Sequence, residues 1–519
     1  MSPSSSVLAD RETFFFTGSK IPAPIVPSYP HLLHSNNIPS IIEAATVQSD
    51  VELLDREGAM VAEELAEATT YLDRIRAVRD RLQMARHRQN ILLSPIRRLP
   101  PGILEKIFLN CLGELELCYT NPPWTCSHVC RQWRTVALAT PELWSTIVTP
   151  MYPDENNVAI SMKRIELMLQ RSGLAPLTIE WQPHHYHGRN AHATSLSLLQ
   201  LLVPHSHRWH SLKLKLPNDA RLLQTLKGLV GRLPNLRFLR IFAFHDIGSS
   251  IKEFAADSKL ETLHMSGNQT LLKLQLSVRH LRHLTIQSEA SYPVWEYLQG
   301  AEELRSLKIS HIWIAPSESL KTKARSKRLC LPRLTHLTIH SFPLDMLDYF
   351  TCPSLEVLEF KAYYRYKKAP FGPDLCNFLR RTRRNIRSFT LNDFPALSDQ
   401  TMRGIVKALP AVEHLNISNS QASCNAFFEP QGRADTGGSF PCLTQLDLYR
   451  CQAAAEILLD FIEERVAGSS PTLQKVSIGC MSRTFPQGSE ESARLRKLVV
   501  EHGLRYDGHL EDSTIVDSD

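Results

Sequence analysis

One short pattern, apolar–x–x–apolar–x–apolar, returns twelve times between residues 174 and 478, and it confines that stretch to architectures built from repeated units. It reads LAPLTI (174–179), WHSLKL (209–214), LRFLRI (236–241), LETLHM (260–265), LRHLTI (281–286) and LRSLKI (304–309). It continues as LTHLTI (334–339), LEVLEF (355–360), IRSFTL (386–391), VEHLNI (412–417), LTQLDL (443–448) and LQKVSI (473–478). From Leu212 to Val476 its fourth residue steps by 27, 24, 21, 23, 30, 21, 31, 26, 31 and 30 residues, about 26 on average. The last three positions alternate with the period of a strand, so every second side chain is expected inside. The first apolar residue turns the chain into that strand. Proline stands close before several copies (LPNL, LPRL, CPSL, LPAV, FPCL, SPTL), where a preceding helix has to stop. Helical stretches such as DARLLQTLKGLVGRL and SDQTMRGIVKAL lie between copies, the second opening on a Ser/Asp cap. Each unit leaves an apolar side that only its neighbour can cover, so the array shares one core.

The pattern resembles the leucine-rich-repeat superfamily in an irregular form. That resemblance implies an α/β repeat solenoid, an irregular horseshoe, over residues 170–506. Asn416 and Asn419 lie near one strand, but most units lack the asparagine such repeats carry after the strand. ESARLRKLVVEHGLR (491–505) is expected to form a helix over the last repeat, and residues 507–519 an acidic tail.

A chain of 519 residues exceeds one ordinary core unless repetition extends it, and 43% hydrophobic with 22% charged residues is the balance of a folded protein. A net charge of +6 is too mild at this length to argue for nucleic acid. The eleven cysteines are scattered, with no C-x-x-C pair. No signal-peptide pattern opens the sequence, and no apolar run approaches the roughly 18 residues of a membrane span. The expectation is a reduced, cytoplasmic and/or nuclear protein with no membrane partner.

Residues 1–48, with six prolines and no apolar period, read as a flexible tail; FFF at 14–16 reads as part of it. The sequence S-D-V-E then suggests a capping box, with Ser49 starting a long amphipathic helix over 49–92. Steps of three and four pick out Leu54, Gly58, Val61, Leu65, Ala68, Leu72, Ile75, Arg79 and Leu82, a heptad seam that fits poorly at Gly58 and Arg79. Self-association through this helix and folding back onto the same protein both remain open.

Residues 94–150 hold LSPIRRLPPGILEKIFLNCL and then PWTCSHVCRQWRTVALATPELW. Pro101 suits a first helical turn, and Ile103, Leu104, Ile107 and Phe108 form an apolar stripe. A second helix is expected from about Ser127, with Val129, Cys130, Trp133, Val136 and Ala137 on its inner side. Pro141, Leu143 and Trp144 pack against it. The ordered set LPPGILEKIF, VCRQW and PELW resembles an F-box, the helical module that docks on the Skp-type adaptor of cullin–RING ubiquitin ligases. The layout is similar to the F-box families of mushroom-forming fungi. The resemblance implies that Leu99, Pro100, Ile103, Leu104, Ile107 and Phe108 meet the adaptor, and that Val129, Cys130, Trp133, Leu143 and Trp144 support or extend that surface. Gly102 stands where the family usually has an acidic residue and weakens the first turn by about 1 kcal/mol. The long link holding Pro122 and Pro123 points to a loop in place of the family's middle helix.

Cys111, Cys118, Cys126, His128 and Cys130 raise the question of zinc, but Cys130 is expected in an apolar helix face, and free cysteine is a common core residue. His184, His185, His187 and His192 read as a solvated loop, so no metal or cofactor is expected. The basic stretches 321–328, 363–368 and 380–387 read as rim decoration, with an acidic-substrate surface as their sharper alternative. No catalytic fingerprint is present. The strand-face residues Lys213, Arg240, His264, Lys308 and Thr338 show no shared chemical theme. Three readings stay open: a non-catalytic, substrate-recognition subunit of an SCF-type ligase holding an unknown protein substrate, a repeat scaffold unconnected to ubiquitin, and a nucleic-acid-associated factor using the basic rim.

Overall fold

The protein is seen in a computed structural model that describes residues 27–112, 122–149, 158–181, 189–216, 220–243, 258–267, 276, 278–288, 298–310, 328–340, 347, 350–361, 371–382, 385–394, 397–419, 423–430, 439–467, 471–479, 485 and 488–506. It divides into two compact units, Met1–Pro100 and Pro101–Asp519.

The first unit is dominated by α1, Ile41–Leu93, a helix of 53 residues. Its start corrects the expectation at Ser49. Ser40 is the N-cap, its hydroxyl accepting from the Glu43 amide at 3.3 Å while the Glu43 carboxylate accepts from the Ser40 amide at 2.8 Å. S-I-I-E is a complete capping box, and Ser49 lies inside the helix. Residues 41–48 are therefore helical, and Pro30–His34 forms a single 3-10 turn. Residues 1–26, with the FFF motif, lie outside the described residues. No residue of α1 is buried.

The second unit opens with short helices: α2 (Pro101–Asn110), α3 (Pro122–Val129) and α4 (Arg131–Ala139), then a 3-10 turn at Pro141–Trp144. The expected loop at Pro122 and Pro123 is thus a helix, because both prolines sit in its first turn, where no amide partner is needed. The expected helix from Ser127 is broken in two. Cys130 adopts an extended conformation (φ −158°) and caps α4 through its sulfur, which accepts from the Trp133 amide at 3.5 Å.

A 14-stranded parallel sheet follows. Its first strands are β1 (Thr146–Val148), β2 (Leu177–Trp181), β3 (Trp209–Leu216), β4 (Phe238–Ala243), β5 (Thr262–Gly267), β6 (His283–Ser288) and β7 (Ser306–Ser310). It continues through β9 (His336–His340), β11 (Val357–Lys361), β12 (Ser388–Asn392), β13 (His414–Ser418), β14 (Gln445–Tyr449), β15 (Lys475–Gly479) and β16 (Arg505–Tyr506). The two-residue strands β8 (Leu329–Cys330) and β10 (Phe350–Thr351) pair separately. All twelve copies of the sequence pattern are strands, and neighbours in sequence are neighbours in the sheet. β1 and β16 extend it at either end.

The register explains the pattern. Leu212, Leu239, Leu263, Leu284, Leu307 and Leu337 lie opposite one another from strand to strand, and the row continues through Leu358, Phe389, Leu415, Leu446 and Val476. All of them are buried. A second buried row starts at Leu214 and Ile241 and ends at Leu448 and Ile478. Burying one such side chain stabilises the fold by about 1.5–3 kcal/mol, and each row fills the gap the next would leave. The first apolar residue of the pattern is buried in every copy except the first, where Leu174 is exposed. From β4 to β14, the carbonyl one residue before the strand accepts two amides from the next unit. The Arg237 carbonyl takes those of Glu261 and Thr262 at 2.8 and 3.0 Å, and the same geometry recurs as far as Thr444 with Gln474 and Lys475.

Helices join the strands: α5 (Val158–Arg171), α6 (Arg189–Leu202), α7 (Ala220–Lys227), α8 (Phe371–Arg381), α9 (Asp399–Ala408), α10 (Asn425–Phe428), α11 (Ala455–Ala467) and α12 (Glu490–His502), of which α7, α9 and α12 fall in stretches read as helical from the sequence. Ser398 caps α9, accepting from the Thr401 amide at 3.3 Å. Gly503, with φ 62°, ends α12 in the left-handed conformation glycine tolerates, and the chain then returns to pair as β16. The last repeat is thus covered by a helix and a further strand. The chain is an α/β protein with a long helix followed by a large, repeat-like parallel sheet.

Candidate functional site

Two surfaces of the second unit leave groups unpartnered. The first is on the helical module. α2 divides its apolar stripe: Leu104 and Phe108 are fully buried, while Ile103 is 44% and Ile107 36% exposed. The buried pair faces α4, where the Phe108 and Trp133 rings stand 4.9 Å apart. Trp133 is half-buried, Val136 and Ala137 are buried, and Arg134 Nε donates to the Ser127 carbonyl at 2.9 Å, tying α4 to α3. Val129 and Cys130, expected on the inner side, are exposed instead, because the helix break at Cys130 takes them off the packed stripe.

Leu143 and Trp144 are fully buried. Trp144 Nε1 donates to the Ala137 carbonyl at 2.7 Å, and its ring meets Trp124 edge-on at 5.1 Å. The Arg171 guanidinium, from α5, lies 4.3 Å from the Trp144 ring and 5.0 Å from the Trp124 ring. Burial, then the neighbouring Arg134 cation, pulls its pKa down. This stack and the pairing of β1 with β2 join the module to the sheet. Of the eleven residues expected at an adaptor surface, Leu104, Phe108, Leu143 and Trp144 lie in the module's own core. Ile103, Ile107, Val129 and Cys130 are open, with Trp133 half-buried; Leu99 (half-buried) and Pro100 (exposed) belong to the other unit.

The second surface is the outward face of the sheet. Parallel sheets covered on both sides read as continuous apolar runs. Here buried and unburied residues alternate, as in the BiBiB sequence of burial along β2, so one face carries polar side chains with no covering layer among the described residues. Register places Lys213, Arg240, His264, Thr285, Lys308 and Thr338 in a single cross-strand row. Register thus gives them a shared row, though their side chains remain chemically mixed. From β3 to β7 the outward positions hold Lys213, Lys215, Arg240 and Lys308 and no carboxylate. Lys213 pairs with Glu180 of β2 at 3.0 Å, whereas Arg240 and Lys308 form no ion pair among the described residues. Burial, then Arg240, His283 and Lys308, pushes the His264 pKa below the ordinary imidazole value. Further along, carboxylates appear and are occupied. His340 meets Glu359 at 3.5 Å, and His414 meets Asp447 at 2.6 Å with Gln445 donating to the same carboxylate at 2.8 Å. The face is therefore basic at one end, whereas at the other its carboxylates Glu359 and Asp447 are held by contacts from neighbouring strands. Sequence reasoning could find the cations but not their alignment, which depends on register across gaps of unequal length.

Among the described residues no group of three His, Cys, Asp or Glu could hold a metal ion, and no helix is long and apolar enough to cross a membrane. Cys111 is exposed, Cys126 buried and Cys130 a helix cap. Cys118, His184, His185, His187 and the side chain of His192 lie outside the described residues, as do 321–327, 363–368, 383–384 and the tail 507–519. No protein-family model and no curated protein matches the chain.

Proposed function

We propose that this chain is a non-catalytic target-recognition subunit of a cullin–RING ubiquitin ligase, acting in the cytoplasm and/or nucleus. In this reading residues 101–149 are an F-box-like module that docks on a Skp-type adaptor, and the sheet belongs to an irregular leucine-rich-repeat solenoid that holds a target protein. The observation that carries it is the divided stripe of α2: one half is used for the module's own packing, while Ile103 and Ile107 are left open among the described residues. Marginal modules of this size gain from burying a face against a partner. The order of motifs, LPPGILEKIF then VCRQW then PELW, supports the same assignment.

The target would meet the polar face of the sheet. The row through Arg240 and Lys308 favours an acidic polypeptide segment, whose carboxylates would supply the ion pairs those cations lack. Joining adaptor and target on one chain raises the target's local concentration near a separate conjugating enzyme, to about the millimolar range for a short tether.

A second reading has its own observation. β1 pairs with β2, and the Arg171 stack fixes the module against α5, so the module also caps the sheet's first edge. Capping alone requires nothing of Ile103 and Ile107. Retention of a purified Skp-type adaptor by the full chain, lost at least tenfold in Ile103→Asp with Ile107→Asp, is the outcome expected of docking. No retention by the unaltered chain, or retention the double variant leaves intact, refutes docking and leaves the cap.

A further inference from the structure

A helix of 53 residues with no buried side chain poses a question the adaptor reading does not answer. α1 is about 80 Å long at 1.5 Å per residue, and from Val51 to Leu82 it carries a heptad seam whose large apolar side chains are exposed. A seam of that kind is stable when another helix covers it.

Charge says which helix. From Ile41 to Glu67 there are eight carboxylates and one arginine, a net charge of −7; from Ala68 to Leu93 there are six arginines and two carboxylates, a net charge of +4. The basic half satisfies two of its own arginines locally, Arg76 with Asp73 at 3.1 Å and Arg79 with Asp80 at 2.9 Å. In the acidic half Asp55, Glu57, Glu63, Glu64 and Glu67 have no ion-pair partner among the described residues. A second α1 laid antiparallel brings each acidic half against a basic one.

The packing agrees. In heptad terms Val51, Gly58 and Leu65 are a positions, and Leu82, Ile75 and Ala68 are d positions. Antiparallel pairing about the centre of the helix sets Val51 against Leu82, Gly58 against Ile75 and Leu65 against Ala68. Both misfits in the seam then find a use. The space above Gly58, where a Cβ would meet nothing, receives the large Ile75, and Arg79 lies opposite Leu54 rather than another arginine. A parallel pair would instead oppose Gly58 to Gly58, Arg79 to Arg79 and one acidic half to the other.

We infer that α1 is an antiparallel self-association element, its partner being α1 of a second copy of this chain. The inference is independent of the adaptor reading.

The test uses the full chain. Light scattering is expected to give twice the mass of 58.9 kDa for the unaltered protein and a single chain for Val61→Asp with Leu72→Asp. Orientation is read by mild oxidation and mass mapping of linked peptides. In Val51→Cys with Leu82→Cys, a 51–82 link is expected within a species of doubled mass. Val51→Cys alone should give no 51–51 link, because the two positions would lie roughly 46 Å apart at 1.5 Å per residue. Several results overturn the inference: a monomeric unaltered chain, a 51–51 link, a 51–82 link confined to monomers (a fold-back), or a dimer that survives the aspartate pair.

Discussion

Adjacent residues on α2 should behave in opposite ways, and that contrast tests how the helix faces. Phe108 is fully buried with its ring 4.9 Å from that of Trp133, whereas Ile107, one residue before it, is 36% exposed. Truncating a buried Phe to Ala costs about 3–5 kcal/mol, and the lost aromatic pair is worth about 0.5–1.5 kcal/mol beyond area. Truncating Ile107 leaves no sealed cavity, so its cost should stay near 1 kcal/mol or below. A long chain of two units is a poor candidate for two-state unfolding, so the readout should be local. In hydrogen–deuterium exchange of peptides from 101–145, Phe108→Ala should speed exchange by roughly three powers of ten, at about 1.4 kcal/mol per decade. Ile107→Ala should change it less than tenfold. Adaptor retention should show the reverse sensitivity per unit of stability lost, since Ile107→Asp removes contact area without emptying the core. If Ile107→Ala matches or exceeds Phe108→Ala in exchange, α2 is rotated from the orientation described, and the docking argument built on Ile103 and Ile107 fails with it.

Other consequences are simpler to state. Gly267 has φ +115°, and a Cβ there would lie 1.9 Å from the Ala243 carbonyl oxygen of the adjoining strand. Gly267→Ala should therefore speed local amide exchange around β4 and β5, whereas Gly58→Ala, whose Cβ meets nothing, should slow exchange in α1; unchanged exchange in Gly267→Ala would refute the strand pairing at Ala243. Burial works against the Asp447 carboxylate, but hydrogen bonds led by His414 outweigh it and hold its pKa below the ordinary aspartate value. A depressed carboxylate contributes stability that is present above its unfolded pKa and lost as pH falls through the folded one. Asp447→Asn should consequently flatten the acid limb of a stability–pH profile, and an unchanged limb would contradict the His414 contact. Burial raises the Cys352 thiol to about 12, whereas Cys111, Cys130, Cys330 and Cys442 are exposed. Native-state alkylation should label those four and spare Cys352, and early labelling of Cys352 would contradict its place in the core.

The fold was legible because its signal is periodic. Twelve strands follow from an apolar pattern whose buried positions need no long-range information, and Ser398 before a helix announces its start. Expectation went astray where two local signals competed. Ser49-Asp-Val-Glu and Ser40-Ile-Ile-Glu both spell a capping box; the chain uses the earlier one, and the helix then runs through the later one because nothing in between breaks it. At Cys130 an apolar pattern argued for a continuous helix, yet the residue caps a new one. Periodicity does not register a one-residue change of conformation. The module's burial was half legible. A stripe of four apolar residues on α2 is visible in sequence, but which two face inward depends on where α4 lies.

The basic row on the sheet shows a different limit. Lys213, Arg240, His264 and Lys308 are separated by 27, 24 and 44 residues, and no spacing rule links them. They become neighbours because each stands between two buried residues of the same repeated strand, so the outward row is fixed by the same register that builds the core. Lys213 and Arg240 stand directly opposed on adjacent strands, and such a like-charged pair is unfavourable unless something answers it. Further along, the face does answer itself, with His340 on Glu359 and His414 on Asp447. Between β3 and β7 only Lys213 has such an answer among the described residues, from Glu180. If that end is a docking surface, Arg240→Gln with Lys308→Gln should leave the fold as stable as before or more so, while retention of fluorescent polyglutamate by the full chain falls and its salt dependence flattens. A clear loss of stability in that variant would mean the two cations are answered from within the chain, and the basic end would then be part of the scaffold.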